Sequence, residues 1–120
     1  MVRVLIVDDD GLSAQTLVRV LHEFGHHETR VARSAGDALR AAVEFQPAMI
    51  FLDIELPDMG GYELATLLHQ HSHLQQMKLI ALTNKGDHSA REHARVSGFE
   101  RYMVKPVTEA AVREVLEVLS

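Results

Sequence analysis

Apolar residues fall along this chain in two alternating patterns. Short, nearly unbroken runs lie at residues 2–7, 48–52 and 77–82, with a briefer one at 102–104, and the more polar 28–32 reads as a further short strand. Continuous runs of this kind suit strands covered on both faces, as in a parallel sheet. Between them, apolar residues recur at helical spacing: Leu17, Val20, Leu21 and Phe24 within 12–24, then Ala38, Leu39, Ala42 and Phe45. Further helical stretches cover 62–72 and 89–96, and a last one buries Val112, Val115, Leu116 and Leu119. Punctuation agrees with this division. Gly25 and Gly98 follow helical stretches as C-terminal caps, Ser34 with Asp37 three residues on forms a capping box, Pro47 stops the second helix, and Thr108 caps the last. Five strands alternating with five helices predict an α/β fold, a doubly wound five-stranded parallel sheet with helices on both sides. The pattern uses the whole chain, so the expectation is a single domain over residues 1–120 without a separate output domain.

Composition narrows the function classes. A chain of 120 residues, 47% hydrophobic and 24% charged, is ordinary for a globular domain able to bury its own core. The absence of cysteine excludes disulfides, a zinc–thiolate site and a thiol nucleophile. No apolar run approaches a membrane span and no signal-peptide pattern opens the chain, so a cytoplasmic location without membrane insertion is expected. A formal charge of −5 argues against direct nucleic-acid binding.

Ligands of such sheets bind at the carboxyl ends of the strands, and those ends carry the polar chemistry here. The first strand runs into Asp8, Asp9 and Asp10, the third into Asp53, the fourth into Thr83 and the fifth into Lys105-Pro106. Carboxylates converging on one crevice repel one another unless a hard divalent cation sits among them, and Mg²⁺ prefers such oxygens while keeping positions for phosphate. Thr83 offers a hydroxyl and Lys105 a compact cation to phosphoryl oxygens. A carboxylate is also a competent nucleophile for an aspartyl phosphate.

The motifs VLIVDDD at 4–10, IFLDIELPDMGGYE at 50–63, IALTN at 80–84 and RYMVKPV at 101–107 together resemble the receiver (CheY-like) domain of two-component response regulators, over essentially the whole chain. The resemblance implies that Asp53 is the phosphoacceptor, that Asp9 ligates Mg²⁺ with Asp53 and the backbone carbonyl of Glu55, and that Asp8 orients the water shell, with Mn²⁺ able to substitute. It implies that Lys105 pairs with Asp53 and then with the phosphoryl group, across a cis bond to Pro106 that aims the lysine. Thr83 would move toward the phosphoryl group and Tyr102 swing inward behind it, switching the surface of the fourth helix, fifth strand and fifth helix. Gly61 would close the loop after the acceptor. Glu55, Asn84 and Lys85 would tune the lifetime of the phosphorylated state, Glu55 and Lys85 as an ion pair across the mouth. Implied partners are a sensor histidine kinase or histidine phosphotransfer protein, a downstream protein target, and a second copy in a phosphorylation-dependent dimer. The domain would be a phosphoacceptor rather than an enzyme, free-standing or a module of a hybrid kinase or larger regulator.

Other readings fit less well. A haloacid-dehalogenase-like phosphatase needs a second aspartate two residues beyond its nucleophile, normally after the first strand, and Glu55 stands there instead. A flavodoxin-like cofactor binder would not place three aspartates after the first strand, where they repel phosphate. Plain alternatives exist for single residues: a solvated strand end for Asp10, the likeliest bystander of the three aspartates, and core packing for Tyr102. Gly60, where the family often has an acidic residue, should loosen the loop. His69, His71 and His73 lie two apart, which denies them a common helical face for a metal. They are read, with His26 and His27, as a solvated, titrating surface.

Overall fold

A computed structural model describes residues 2–25, 27–71, 76–84 and 88–119. Lys85, His26, His73 and the side chain of Leu119 lie outside the described residues. The elements are β1 (Arg3–Val7), α1 (Gly11–Gly25), β2 (Glu28–Ala32), α2 (Ala35–Phe45), β3 (Met49–Asp53), α3 (Gly61–Gln70), β4 (Lys78–Thr83), α4 (His88–Val96), β5 (Arg101–Val104) and α5 (Glu109–Leu119). The strands form one parallel sheet in the order β2-β1-β3-β4-β5. This is the doubly wound architecture that the alternation of patterns predicts. Val7 pairs with Leu52, Leu52 with Ala81 and Ala81 with Tyr102, so four strands end level. The chain leaves β1 toward one edge and later returns to its other side at β3, and the crevice of this reversal opens at those level ends.

Alternation along the strands divides the core in two. Met49 and Phe51 of β3 face α1 and α5 with Val4, Ile6, Leu17, Leu21, Val112 and Leu116. Ile50 and Leu52 face α2 and α3 with Leu5, Val7, Ala38, Leu64 and Leu68. All five residues of β3 are buried, which accounts for its unbroken apolar sequence.

Helix ends follow the capping signals with three corrections. The Ser34 hydroxyl accepts the Asp37 N–H at 3.2 Å, Thr108 accepts that of Ala111 at 3.2 Å, and Gly98 takes the left-handed φ of 95° that ends α4. Gly25, however, is the last residue of α1 without a left-handed turn; the His27 imidazole occupies the space a Cβ would need. The reciprocal half of the α2 capping box is also missing, because the Asp37 carboxylate pairs with Arg40. Asp58 serves instead, its carboxylate accepting the N–H groups of Ala35 at 2.9 Å and Gly36 at 3.3 Å from across the β3–α3 loop. Third, Asp10 is no bystander. Its carboxylate accepts the Leu12 N–H and the Ser13 hydroxyl, each at 3.0 Å, and so caps α1.

Two outcomes follow for α2. The hydrogen bonds from Ala35 and Gly36 hold the Asp58 carboxyl below its ordinary value of 3.8. A carboxylate with a depressed folded value stabilises above the unfolded value and loses that contribution as pH falls through the folded one. The stability gap between the parent and Asp58→Ala, measured by urea unfolding at a series of pH values, should therefore be full at neutral pH and close in acid below 3.8. Gly36 lies inside the first turn of α2 with open space where a Cβ would stand. Gly36→Ala should stabilise the protein by about 0.5–1 kcal/mol in the same measurement.

Of the histidines read as a solvated surface, His27, His69 and His71 are half-buried. The His69 ring sits on Gly98 at the end of α4, with its Nε2 atom buried, because α3 and the α4–β5 turn approach closely there. His27 accepts the Val2 N–H at 3.3 Å and His71 is half-buried. His93 stacks on Tyr62 at 3.6 Å between ring centroids, joining α4 to α3.

Candidate functional site

Asp8 closes β1 and is fully buried, since its backbone continues the sheet by donating to Ala32. Its Oδ1 accepts the Asp10 N–H at 2.9 Å and the Lys105 ammonium at 3.1 Å. Its Oδ2 is buried without a hydrogen-bond partner among the described residues. Burial pushes the Asp8 carboxyl up to about 6, against the opposing pull of the Asp10 N–H and Lys105. Asp53 ends β3 and is nearly as buried; its Oδ1 accepts the Glu55 N–H at 2.9 Å and its Oδ2 the Lys105 ammonium at 3.3 Å. Asp9 stands exposed at the rim. One oxygen from each of Asp8, Asp9 and Asp53 falls within 4.8 Å of the others.

Lys105 is the cation of this cluster. Its carboxylate partners raise its affinity for a proton against the cost of burial. The Lys105 N–H donates to the Thr83 carbonyl at 2.7 Å, which ties the ends of β4 and β5 together. The bond to Pro106 is cis.

Thr83 ends β4 almost fully buried, and its hydroxyl donates to Glu55 Oε1 at 3.5 Å. Asn84 donates to Glu55 Oε2 at 3.2 Å. The sequence reading paired Glu55 with Lys85, which lies outside the described residues; the observed partners of its carboxylate are Thr83 and Asn84. Tyr102 is half-buried on the α2–α3–α4 side, with the Arg91 guanidinium 5.4 Å from its ring centroid.

The loop after Asp53 is closed by backbone. Gly61 donates to the Ile54 carbonyl at 2.8 Å, Ile54 donates to Leu82 at 2.9 Å, and Glu55 bridges Gly60. Gly60 is thus part of a closed turn and does not loosen it. An added Cβ on Gly61 would lie 2.5 Å from the Ile54 Cα and 2.9 Å from the Asp53 carbonyl oxygen, so only glycine fits.

Among the described residues three carboxylates share the Lys105 ammonium, and one buried oxygen of Asp8 has no hydrogen-bond partner. An all-oxygen donor set with excess negative charge fits a hard divalent cation. The structure brings Asp8, Asp9, Asp53, Lys105, Thr83 and the Glu55 peptide together, and holds Tyr102 and Asn84 at the periphery. Asp10 as the α1 cap was open to sequence reasoning, since an aspartate before a helix with Ser13 three residues on is a capping signal. Asp58 left no such signal, because it caps α2 from more than twenty positions away.

A doubly wound parallel sheet with an acidic cluster and a lysine at its strand ends defines a class of phosphoacceptor and metal-binding domains. The family model described as the response regulator receiver domain matches residues 4–117, and the chain belongs to that family. The polar-differentiation response regulator DivK of Brucella ovis is 35% identical over 105 residues, covering 88% of this chain and 85% of DivK. DivK of Brucella anthropi is 34% identical over the same share of both chains. Among solved structures, a CheY-like receiver domain protein from Methanospirillum hungatei aligns with a TM-score of 0.84 at 30% identity, over 97% of this chain and 90% of that one. The chemotaxis response regulator CheY4 of Vibrio cholerae aligns with a TM-score of 0.93 over 100% of this chain and 99% of that one; at 23% identity this likeness speaks to fold. The protein is therefore a receiver domain of two-component signalling, a phosphoacceptor with an aspartate cluster of the kind receivers use. Membership implies a histidine kinase as its partner. No helix among the described residues is long and apolar enough to cross a membrane.

Proposed function

We propose that Asp53 accepts a phosphoryl group from a phosphohistidine of a sensor kinase or phosphotransfer protein in the cytoplasm. The observation that carries this reading is the carboxylate of Asp53 held at a strand end by Lys105, beside Asp8 with its unpartnered buried oxygen. An Asp53 oxygen forms the new bond to phosphorus as the phosphorus–nitrogen bond of the donor breaks, and the imidazole leaves with that electron pair. The Glu55 N–H and the Lys105 ammonium orient the carboxylate for this attack. Lys105 then follows the charge onto a phosphoryl oxygen, and the Thr83 hydroxyl donates to another. Asp9, Asp53 and the backbone carbonyl of Glu55 would hold Mg²⁺, with Asp8 orienting its water, and the ion supplies neutralisation of the incoming phosphoryl charge. Tyr102 follows Thr83 inward, releasing its contact with Arg91 and changing the α4–β5–α5 face offered to a downstream protein or a second copy.

The test is incubation with acetyl phosphate followed by mass measurement. Labelling should be single and should fall at least about a hundredfold in excess chelator, since a metal ion is worth several kcal/mol to such a transfer. Undiminished labelling in chelator would contradict the reading.

A further inference from the structure

We propose that Glu55 and Asn84 form a clasp that keeps the Thr83 hydroxyl occupied in the unphosphorylated domain, so that the phosphoryl group must displace Glu55 to gain it. The proposal rests on the reading of Asp53 as acceptor and adds a resting partner for its switch residue. Glu55 touches both halves of the site. Its backbone N–H is committed to Asp53 Oδ1 at 2.9 Å, and its carboxylate crosses to β4, where it meets Asn84 at 3.2 Å and Thr83 at 3.5 Å.

The three residues have unequal parts. Glu55 and Asn84 are exposed, whereas Thr83 is buried. A solvated glutamate ordinarily disperses over many rotamers, and among the described residues the Asn84 amide is what holds this one over the mouth. Bonds to a charged acceptor are the stronger kind. The Thr83 contact is at the long limit for a hydroxyl donor and so yields first. The backbone of Glu55 does not move freely, being held by its bridge to Gly60 and by the Gly61–Ile54 hydrogen bond. The side chain must therefore swing out alone when Thr83 turns inward.

Only differential contacts shift a two-state equilibrium. Glu55 accepts from Thr83 in the resting arrangement, and a phosphoryl oxygen accepts from it after transfer. Glu55 and Asn84 are accordingly positioning residues that act through Thr83 on both the ease of phosphorylation and the resting conformation.

The test uses Glu55→Ala, Glu55→Gln, Asn84→Ala, the Glu55→Ala/Asn84→Ala double variant, Glu55→Ala in a Thr83→Ala background, and Asp53→Asn, with acetyl phosphate and Mg²⁺. Each single substitution should raise the labelling rate about three- to tenfold, the worth of one side-chain hydrogen bond. The double variant should be no faster than Glu55→Ala, because the two residues act as one device. In the Thr83→Ala background, removing Glu55 should change nothing. The unphosphorylated, metal-free single variants should also show Thr83 and Tyr102 amide resonances displaced toward their phosphorylated positions, which general loosening of the fold would not produce. Additive effects, or an effect of Glu55→Ala that persists without Thr83, would overturn the clasp. So would acceleration by Glu55→Gln equal to that of Glu55→Ala with none from Asn84→Ala, which marks simple charge repulsion. Labelling that survives in Asp53→Asn means that the acceptor reading has failed; loss of labelling there, with the clasp variants matching the parent, means that the clasp alone has failed.

Discussion

Asp53→Asn is expected to reduce phosphorylation by at least about a thousandfold while leaving the fold intact. The side-chain amide occupies nearly the same volume and still offers an oxygen to the Glu55 N–H, so the loop after β3 keeps its anchor. It lacks the negative charge that makes a carboxylate oxygen nucleophilic, and it no longer draws Lys105. The ammonium retains Asp8 at 3.1 Å, so no buried cation is stranded. Removing a carboxylate beside Asp8 also relieves a repulsion that helps to raise the Asp8 carboxyl. The variant should thus unfold in urea at no lower concentration than the parent. Mass measurement after acetyl phosphate treatment decides the first point and urea unfolding the second. A labelled, stable Asp53→Asn protein would place the acceptor elsewhere.

Gly61→Ala should cost both stability and function through one methyl group. The two atoms nearest its Cβ belong to the backbone of Ile54 and Asp53, and backbone at the end of the central strand does not rotate aside. Relief requires the end of β3 to shift, against the bonds from Ile54 to Leu82 and from Gly61 to Ile54. Overpacking of this kind typically costs about 1–3 kcal/mol. The shift falls on the acceptor itself, and misplacement of a reacting group by about 1 Å can cost on the order of a hundredfold in rate. Gly60→Ala is the control, because a Cβ there meets nothing within 4 Å and the backbone φ of −64° suits any residue. Equal unfolding curves and labelling rates for the two variants would show that the close approach at Gly61 is unimportant.

Much of this was legible because the fold writes its layers into local patterns. β3 is buried on both faces and reads as an unbroken apolar run ending in Asp53; Ser34, Gly98 and Thr108 act on residues next to them in sequence. What could not be read depends on tertiary approach. Asp58 reaches α2 only because the β3–α3 loop folds back over its first turn. His69 leaves solvent because Gly98 lies against it, and His93 finds Tyr62 across two helices. Gln46 takes a left-handed φ of 49° at the end of α2, a position usually given to glycine. The partners of Glu55 are hidden for a related reason: spacing points to Lys85, while the reach of the Glu55 carboxylate to Asn84 and Thr83 depends on how β3 and β4 end side by side.

The main-chain hydrogen bond from Lys105 to Thr83 carries a mechanical consequence. The residue bearing the hydroxyl and the residue bearing the ammonium share a main-chain hydrogen bond of 2.7 Å, part of the ladder that joins β4 to β5. That bond resists a change in their main-chain separation, so their spacing is expected to persist when the crevice holds a phosphoryl group. On the proposed reading the sheet is a fixed frame, and the moving parts are torsions of single side chains hung upon it. Such a mechanism has little inertia and needs little stored energy, because turning a side chain between staggered positions leaves the core packing in place. It also limits range: what one torsion displaces must be felt by the next side chain in contact, so the signal leaves the site as a change of shape over a few ångströms and not as a sliding of strands.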